Sequence, residues 1–168
     1  MQIETKRLRI TPLNAEQLSN YCLTNFTLEM SLGANKINRI VPDFLKNVIK
    51  NKIIPLVNNK TINPLYTTFW TVIVKKENVM VADFCFKGEP NINGEIEIGY
   101  GTYPNFEGNG FMTESVCGAI LWAFQQPNVT SILAKTDHTN IASQKILLKN
   151  KFKQYGITEE NILWRIDK

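Results

Sequence analysis

The residues with the most chemical promise are Gly108-Asn109-Gly110, set between a strand pattern and a helix pattern. Upstream, Ile96, Ile98 and Tyr100 alternate with Glu95, Glu97 and Gly99, the period of two that sends successive side chains to opposite faces, and Pro104 ends the run. Downstream, Met112, Val116, Ile120 and Phe124 recur every fourth residue beside Ala119 and Ala123, which is one face of a helix. A glycine turn that opens a helix leaves the first-turn N–H groups without partners, and residues lacking a Cβ let a ligand come up against them. A phosphate-sized anion fits such a place. The helix dipole adds only ~0.3–1 kcal/mol at an exposed end, whereas each hydrogen bond to a charged oxygen contributes roughly 1.5–3 kcal/mol, so the converging N–H groups do most of the holding. The same two glycines would also serve a plain tight connection. The residues beyond the helix favour the anion site: a strand over Val129 to Thr136, then Thr139-Asn140-Ile141-Ala142-Ser143 opening a second helix to about Lys149, completes a βαβ unit with the turn at its switch point.

The rest of the chain must position that unit. Glu4 to Pro12 reads as a first strand. A helix comes next over Ala15 to Cys22, with Asn14 as N-cap, Gln17 three residues on, and Leu13 packing on Leu18 across the cap. Its pattern fades through Asn25 to Gly33. Phe44, Leu45, Val48 and Ile49 mark a second, short amphipathic helix with Lys46 and Lys50 outside, and Asn58-Asn59-Lys60 and Asn63-Pro64 read as loop. From Thr67 the period changes to two. Turns at Lys76-Glu77-Asn78 and Gly88 to Gly94 then fold three strands into an antiparallel meander that ends in the strand at Glu95. Phe152 to Tyr155 and Ile162 to Ile166 close the chain as a hairpin. The sum is an α+β fold: a mixed, mostly antiparallel sheet flanked by helices, with one parallel crossover, in a single domain spanning 1–168.

A chain of 168 residues suffices for one core and is short for two. No apolar run approaches the roughly 18 residues of a membrane span, and MQIETKRLRI lacks the apolar stretch of a signal peptide, so a soluble cytoplasmic protein with no membrane partner is expected. Cys22, Cys85 and Cys117 are odd in number and widely spaced, which suggests small buried hydrophobes rather than disulfides or a metal site. The formal charge of +4 is uneven: Lys36, Arg39, Lys46, Lys50, Lys52 and Lys60 crowd one segment against Asp43. A solvated helix face explains this more simply than RNA, and no RNA-binding signature accompanies it, so direct nucleic-acid binding is not expected.

Three stretches, ETKRLRITPLNAEQL, EIGYGTYPNFEGNGFMTES and NIASQKILLKNKF, together resemble the GCN5-related N-acetyltransferases, especially the branch that acetylates ribosomal-protein N-termini. The resemblance implies an acetyl-CoA-dependent acyltransferase with an amine acceptor, either a protein N-terminus or a small molecule. It further implies that Gly108, Asn109, Gly110, Phe111, Met112 and Thr113 offer N–H groups to the diphosphate of acetyl-CoA and that Asn140 reaches the pantetheine arm. The strand ending at Tyr100, Gly101 and Thr102 is implied to splay from its parallel neighbour and pair with pantetheine. Glu97 resembles the position that some relatives use as a general base, and Ser143 the serine that stands by the leaving thiolate. Read without the resemblance, Glu97 is an ion-paired strand residue, Asn140 a helix N-cap and Ser143 a surface hydroxyl. One departure affects the backbone: Lys151 replaces a glycine at the end of the second helix, and Asn150 is expected to take the left-handed conformation in its stead.

Other readings remain. A nucleotide-dependent oxidoreductase lacks the further strand–helix units that a doubly wound fold needs, and a cysteine hydrolase would rest on Cys117 and His138 alone. A non-catalytic acetyl-CoA-binding or ribosome- or RNA-associated module is the stronger rival. No metal is expected, and a homodimer stays open.

Overall fold

The computed structural model describes residues Met1 to Lys168. Its strands are β1 (Ile3–Glu4), β2 (Leu8–Pro12), β3 (Phe69–Val74), β4 (Val79–Phe86), β5 (Glu95–Thr102), β6 (Ser131–Asp137), β7 (Lys153–Ile157) and β8 (Asn161–Asp167). They lie in one sheet in the order β1-β2-β3-β4-β5-β6-β8-β7, and only the β5–β6 pair is parallel. This is the mixed, mostly antiparallel sheet that the sequence predicts, with the meander (β3, β4, β5), the single crossover and the closing hairpin in place.

Helix α5 (Phe111–Gln125) makes that crossover and packs with α6 (Ile141–Lys149) on one face of the sheet. Met112, Val116, Ala119, Ile120 and Ala123 are buried there, as the four-residue spacing requires. Trp122 adds an aromatic centre, 5.1 Å from Trp70 and 5.4 Å from Phe86 between ring centroids. The opposite face carries α1 (Ala15–Leu23) and α2 (Thr27–Ser31) over a second cluster that includes Leu13, Leu18, Leu28 and Phe69. Asn14 and Gln17 form the predicted capping box: Gln17 N donates to Asn14 Oδ1 at 2.8 Å and Asn14 N to Gln17 Oε1 at 3.0 Å. With helices on both sides, every residue of β3 is buried.

Four local expectations change. The stretch 4–12 is two strands, because the polar Thr5-Lys6-Arg7 turns the chain back so that Ile3 faces Ile10 and Glu4 faces Arg9. Glu114 of α5 fixes that turn by accepting from Thr5 Oγ1 at 2.6 Å and Arg7 N at 2.8 Å. The helix predicted around Phe44 to Ile49 runs further, as α3 (Asp43–Val48), five π-helical residues Ile49–Ile53, and α4 (Ile54–Asn58). Pro55 supplies no N–H, and the widened π turn lets the helix pass it. Of the four apolar residues there only Ile49 is fully buried. Phe44 and Val48 are 69% and 42% exposed, because the Phe44–Val48 row and the adjacent Leu45–Ile49 row point to different sides and only the latter meets the sheet. Cys117 is exposed on the outer side of α5, unlike the buried Cys22. Finally, Lys151 itself is left-handed, with φ of 65°, while Asn150 stays near the helical region. No helix is long and apolar enough to cross a membrane.

Candidate active site

The glycine turn bends back on itself before α5 begins. Gly108 and Gly110 both have φ of 75°, and a Cβ at Gly108 would meet nothing within 4 Å. Asn109 shapes the turn by donating from Nδ2 to the carbonyls of Phe106 (3.2 Å) and Glu107 (3.0 Å). From Gly108 through Thr113 no backbone N–H donates to any group of the protein; the first helical bond comes from Glu114 N to Gly110 O at 3.1 Å. Six successive donors are therefore open to an outside acceptor, which is the local geometry that binds phosphates. The Met112 side chain is buried in the core, so this residue can offer only its backbone.

Arg7, from the β1–β2 turn, braces the same place and was not picked out by sequence reasoning. It donates from Nη1 to Asn109 O at 3.0 Å, pairs through Nε with Glu114 at 2.6 Å, and stacks its guanidinium 4.9 Å from the Phe111 ring centre. Burial pushes the Glu114 carboxyl up, but the hydrogen bonds from Thr5 and Arg7 outweigh it and hold the group below its ordinary value. The acid in the first turn is thus matched by Arg7, and the helix terminus keeps its attraction for an anion.

Next to the turn the two parallel strands separate. β5 pairs with β6 only from Glu95 to Glu97, then stays with β4 from Ile98 to Thr102 while β6 follows β8 to Asp137. The β5 edge at Tyr100, Gly101 and Thr102 consequently has no strand partner on its β6 side. Tyr100 reaches across to α6, where its hydroxyl lies 2.9 Å from Ser143 Oγ and 3.3 Å from the Ser143 carbonyl. Burial pushes the Tyr100 phenol up to about 12, with the Ser143 contact pulling slightly the other way, so it is protonated at neutral pH. Asn140 caps α6, accepting from Ser143 N at 3.0 Å through Oδ1 and leaving its Nδ2 unengaged. Glu97 is ion-paired with Lys87 at 2.5 Å and Lys135 at 3.4 Å.

On the other face of β4 and β5 the gap continues into a cavity of about 750 Å³, walled by residues of α1, the segment 37–45 and both strands. In its wall is Asp83, which sequence reasoning missed. Tyr21 and Tyr103 donate to its Oδ2 at 2.8 and 2.7 Å, and Thr71 donates to Oδ1 at 2.7 Å. Burial pushes the Asp83 carboxyl up, and the three hydroxyls pull it part of the way back. Arg39 lies over the Tyr21 ring at 4.7 Å and is paired with Glu29 at 2.8 Å, so it belongs to this buried network rather than to a solvated basic face. The available signal was one acid inside the apolar strand VMVADFCF. Cys85 stands beside it, its thiol pushed up to about 11 by burial, which leaves it a poor nucleophile. His138 lies apart, with Nε2 3.1 Å from the Thr158 carbonyl.

Comparison with known proteins bears on this arrangement. The model of the acetyltransferase (GNAT) domain matches residues 7–153. Over 82 residues, 48% of this chain, the sequence is 39% identical to the uncharacterized N-acetyltransferase YjdG of Bacillus subtilis. Over 108 residues, 64% of the chain, it is 29% identical to the uncharacterized N-acetyltransferase p20 of Bacillus licheniformis. The matches span about half of the first relative (49%) and 60% of the second. Among solved structures, RimL, a ribosomal L7/L12 alpha-N-protein acetyltransferase, in complex with coenzyme A superposes with a TM-score of 0.72 at 14% identity, covering 99% of this chain and 98% of that one. The ribosomal-protein-S5-alanine acetyltransferase of Vibrio fischeri gives 0.67 at 18% identity, covering 99% and 96%. At such identities these structures speak for the fold, and the family match covers most of the chain. The chain belongs to the GNAT acetyltransferase family.

Proposed function

We propose that this chain is an N-acetyltransferase that moves the acetyl group of acetyl-CoA to a primary amine, in the first place a protein N-terminus. The observation that carries the reading is the run of unpartnered N–H groups from Gly108 to Thr113, beside the bare β5 edge. A diphosphate suits them: it is anionic, offers several acceptor oxygens, and can approach closely where Gly108 and Gly110 have no side chain. In this reading Gly108, Asn109, Gly110, Phe111, Met112 and Thr113 grip the diphosphate of acetyl-CoA. Asn140 Nδ2 reaches the pantetheine arm, and the backbone at Tyr100, Gly101 and Thr102 orients it. Acetyl-CoA supplies the activated thioester.

As the C–N bond forms and the C–S bond breaks, an ammonium acceptor gives up two protons, one ending on sulfur and one in solvent. In this reading Ser143 steadies and protonates the departing thiolate, a role that the Tyr100 hydroxyl 2.9 Å from its Oγ supports. Freeing the amine costs roughly 4–5 kcal/mol for a lysine side chain at pH 7 but only about 1 kcal/mol for an α-amine, which favours a chain terminus. Glu97 remains the sequence-derived base, and to take a proton it must first loosen from Lys87 or Lys135. The RimL-like fold and the N-acetyltransferase relatives support the reading without fixing the acceptor.

The test is incubation with acetyl-CoA and a panel of free-N-terminus peptides and small amines, following thiol release and product mass. Thiol release with at least one peptide is expected, and absence of any acyl-CoA binding would overturn the proposal. Glu97→Gln is expected to lower turnover most below neutral pH; an unchanged pH–rate profile removes Glu97 as base.

A further inference from the structure

The cavity behind β5 has a feature that the acetyl-CoA reading does not use. Its walls are largely apolar, with Ile37, Pro42, Leu45 and Phe69 among them, and its charged residues are Asp83 and Arg39. Arg39 is committed to Glu29. Asp83 is thus the single acid of the cavity. A carboxylate has about four acceptor positions, and Asp83 uses three, for Thr71 on Oδ1 and for Tyr21 and Tyr103 on Oδ2. The remaining position belongs to Oδ1, on a side chain whose 7% exposure is in the cavity wall.

The strand opposite leaves this carboxylate uncovered. Asp83 pairs with Gly101, and Cys85 with Gly99, so both glycines point to the same side as the acid. A Cβ at Gly101 would meet nothing within 4 Å. The acid and the bare edge of the β5–β6 gap therefore adjoin the same space. An α-amine with a pKa near 8 arrives mostly as ammonium at neutral pH. A bare cation entering an apolar cavity loses hydration that only a countercharge can replace.

Resting on the transferase reading, we infer that Asp83 receives the ammonium group of the acceptor, with Tyr21, Tyr103 and Thr71 fixing its carboxylate. The acceptor is a peptide N-terminus whose first residues are apolar. The apolar walls suit the first side chains, and the rim carries an apolar side chain as well: Ile40, which lines the cavity, is 95% exposed. A polyamine is a poor fit, because its second ammonium finds no further acid in the walls. Tyr21 and Tyr103 act through Asp83 and are positioning residues.

Binding, rather than turnover, is the direct test, because it separates this inference from the transferase reading. Calorimetry on the full chain, with and without CoA, would compare an Ala-Leu-Phe peptide with its des-amino analogue, and would include 2-phenylethylamine and spermidine. The native protein is expected to prefer the amino peptide over the des-amino one by about tenfold or more, with spermidine weakest. Asp83→Asn is expected to abolish that preference while leaving acetyl-CoA affinity within about twofold, as a charge-recognition role demands. A folded Asp83→Asn protein that keeps the preference overturns the inference. If that variant does not fold, Tyr103→Phe decides: the preference falls several-fold if Tyr103 holds the receiving carboxylate and is unchanged if it does not. Tighter binding of spermidine overturns the apolar acceptor, and 2-phenylethylamine binding as well as the peptide overturns the peptide source. Failure to bind acetyl-CoA sinks the transferase reading alone, since amine binding is measured without CoA as well.

Discussion

The glycine turn at 108–113, which follows β5, and the cavity at Asp83, which β5 helps to wall, are built from different materials. The turn offers backbone: consecutive N–H groups and two glycines with φ of 75°, braced by the side chains of Arg7 and Asn109. The cavity offers side chains: a carboxylate held by three hydroxyls that come from α1, β3 and the residue just after β5. A backbone site tolerates change at most of its side chains, because what it presents is in every residue, and it fails where a Cβ forces the chain to move. A side-chain site fails on loss of a single hydroxyl or carboxylate. The first suits an invariant ligand such as a diphosphate; the second is where an acceptor would be chosen.

The sharpest way to break this contrast is Gly110→Val. A β-branched residue at φ of 75° is strained by about 1–2 kcal/mol, and relaxing it turns the Gly110 and Phe111 N–H groups away. Losing two charged hydrogen bonds at roughly 1.5–3 kcal/mol each should weaken acetyl-CoA binding by about 100-fold or more, measurable by calorimetry. Asn109→Ala should do much less, and equal losses in the two variants would contradict a backbone-made cradle. Next in size, Ser143→Ala and Tyr100→Phe should each lower kcat by about 10- to 100-fold while leaving acetyl-CoA affinity within about twofold. Parallel losses in kcat and affinity would mean that the pair only holds α6 against β5.

How far each region could be read in advance depends on how local it is. Gly108, Asn109, Gly110 and the four-residue rhythm after them are consecutive, so the turn and α5 are visible in a window of about 18 residues. The meander is visible for the same reason. Asp83 is different: its partners Tyr21, Thr71 and Tyr103 lie 62, 12 and 20 residues away, and only the fold assembles them. Arg7 falls inside the stretch Glu4 to Pro12 that reads as one strand from the alternation at Leu8 to Ile10, and the turn that sets it apart depends on Glu114, far along the chain. At 43–58 the sequence held two adjacent apolar rows, and nothing local says which one the sheet covers.

The side-chain region also carries a signature in stability. Burial raises the Asp83 carboxyl in the folded protein above its unfolded value near 3.9, against the pull of three hydroxyls. The stabilisation from this raised group is fully present below the unfolded pKa and is lost as pH rises through the folded pKa. Asp83→Asn does not titrate. Its unfolding free energy relative to the native protein, followed by denaturant unfolding, should therefore shift in the variant's favour between pH 4 and pH 7, on the order of 1 kcal/mol per pKa unit of elevation. A difference that stays flat across that range would mean that Asp83 is not buried as its carboxylate, and the contrast with the exposed turn would lose its electrostatic half.

The smallest expected effect isolates the scaffold from both regions. Lys151 takes the left-handed conformation at the end of α6 because Asn150 is not free to do so: Asn150 is buried and donates from Nδ2 to Thr113 O at 3.1 Å and Ile146 O at 3.0 Å, tying α6 to the first turn of α5. The chain closes the helix around Lys151 in a Schellman pattern, with Phe152 N bonded to Leu147 O at 3.1 Å and Lys151 N to Leu148 O at 3.0 Å. A lysine there costs about 1–2 kcal/mol, part of which glycine returns through its greater freedom when unfolded. Lys151→Gly should thus stabilise the protein by about 0.5–1 kcal/mol in denaturant unfolding, with acetyl-CoA affinity unchanged. Asn150→Ala, which cuts the tie to Thr113, should destabilise the fold and loosen the cradle together. If Lys151→Gly instead weakened acetyl-CoA binding, the end of α6 would have to be counted with the turn, and the boundary between scaffold and cradle would move.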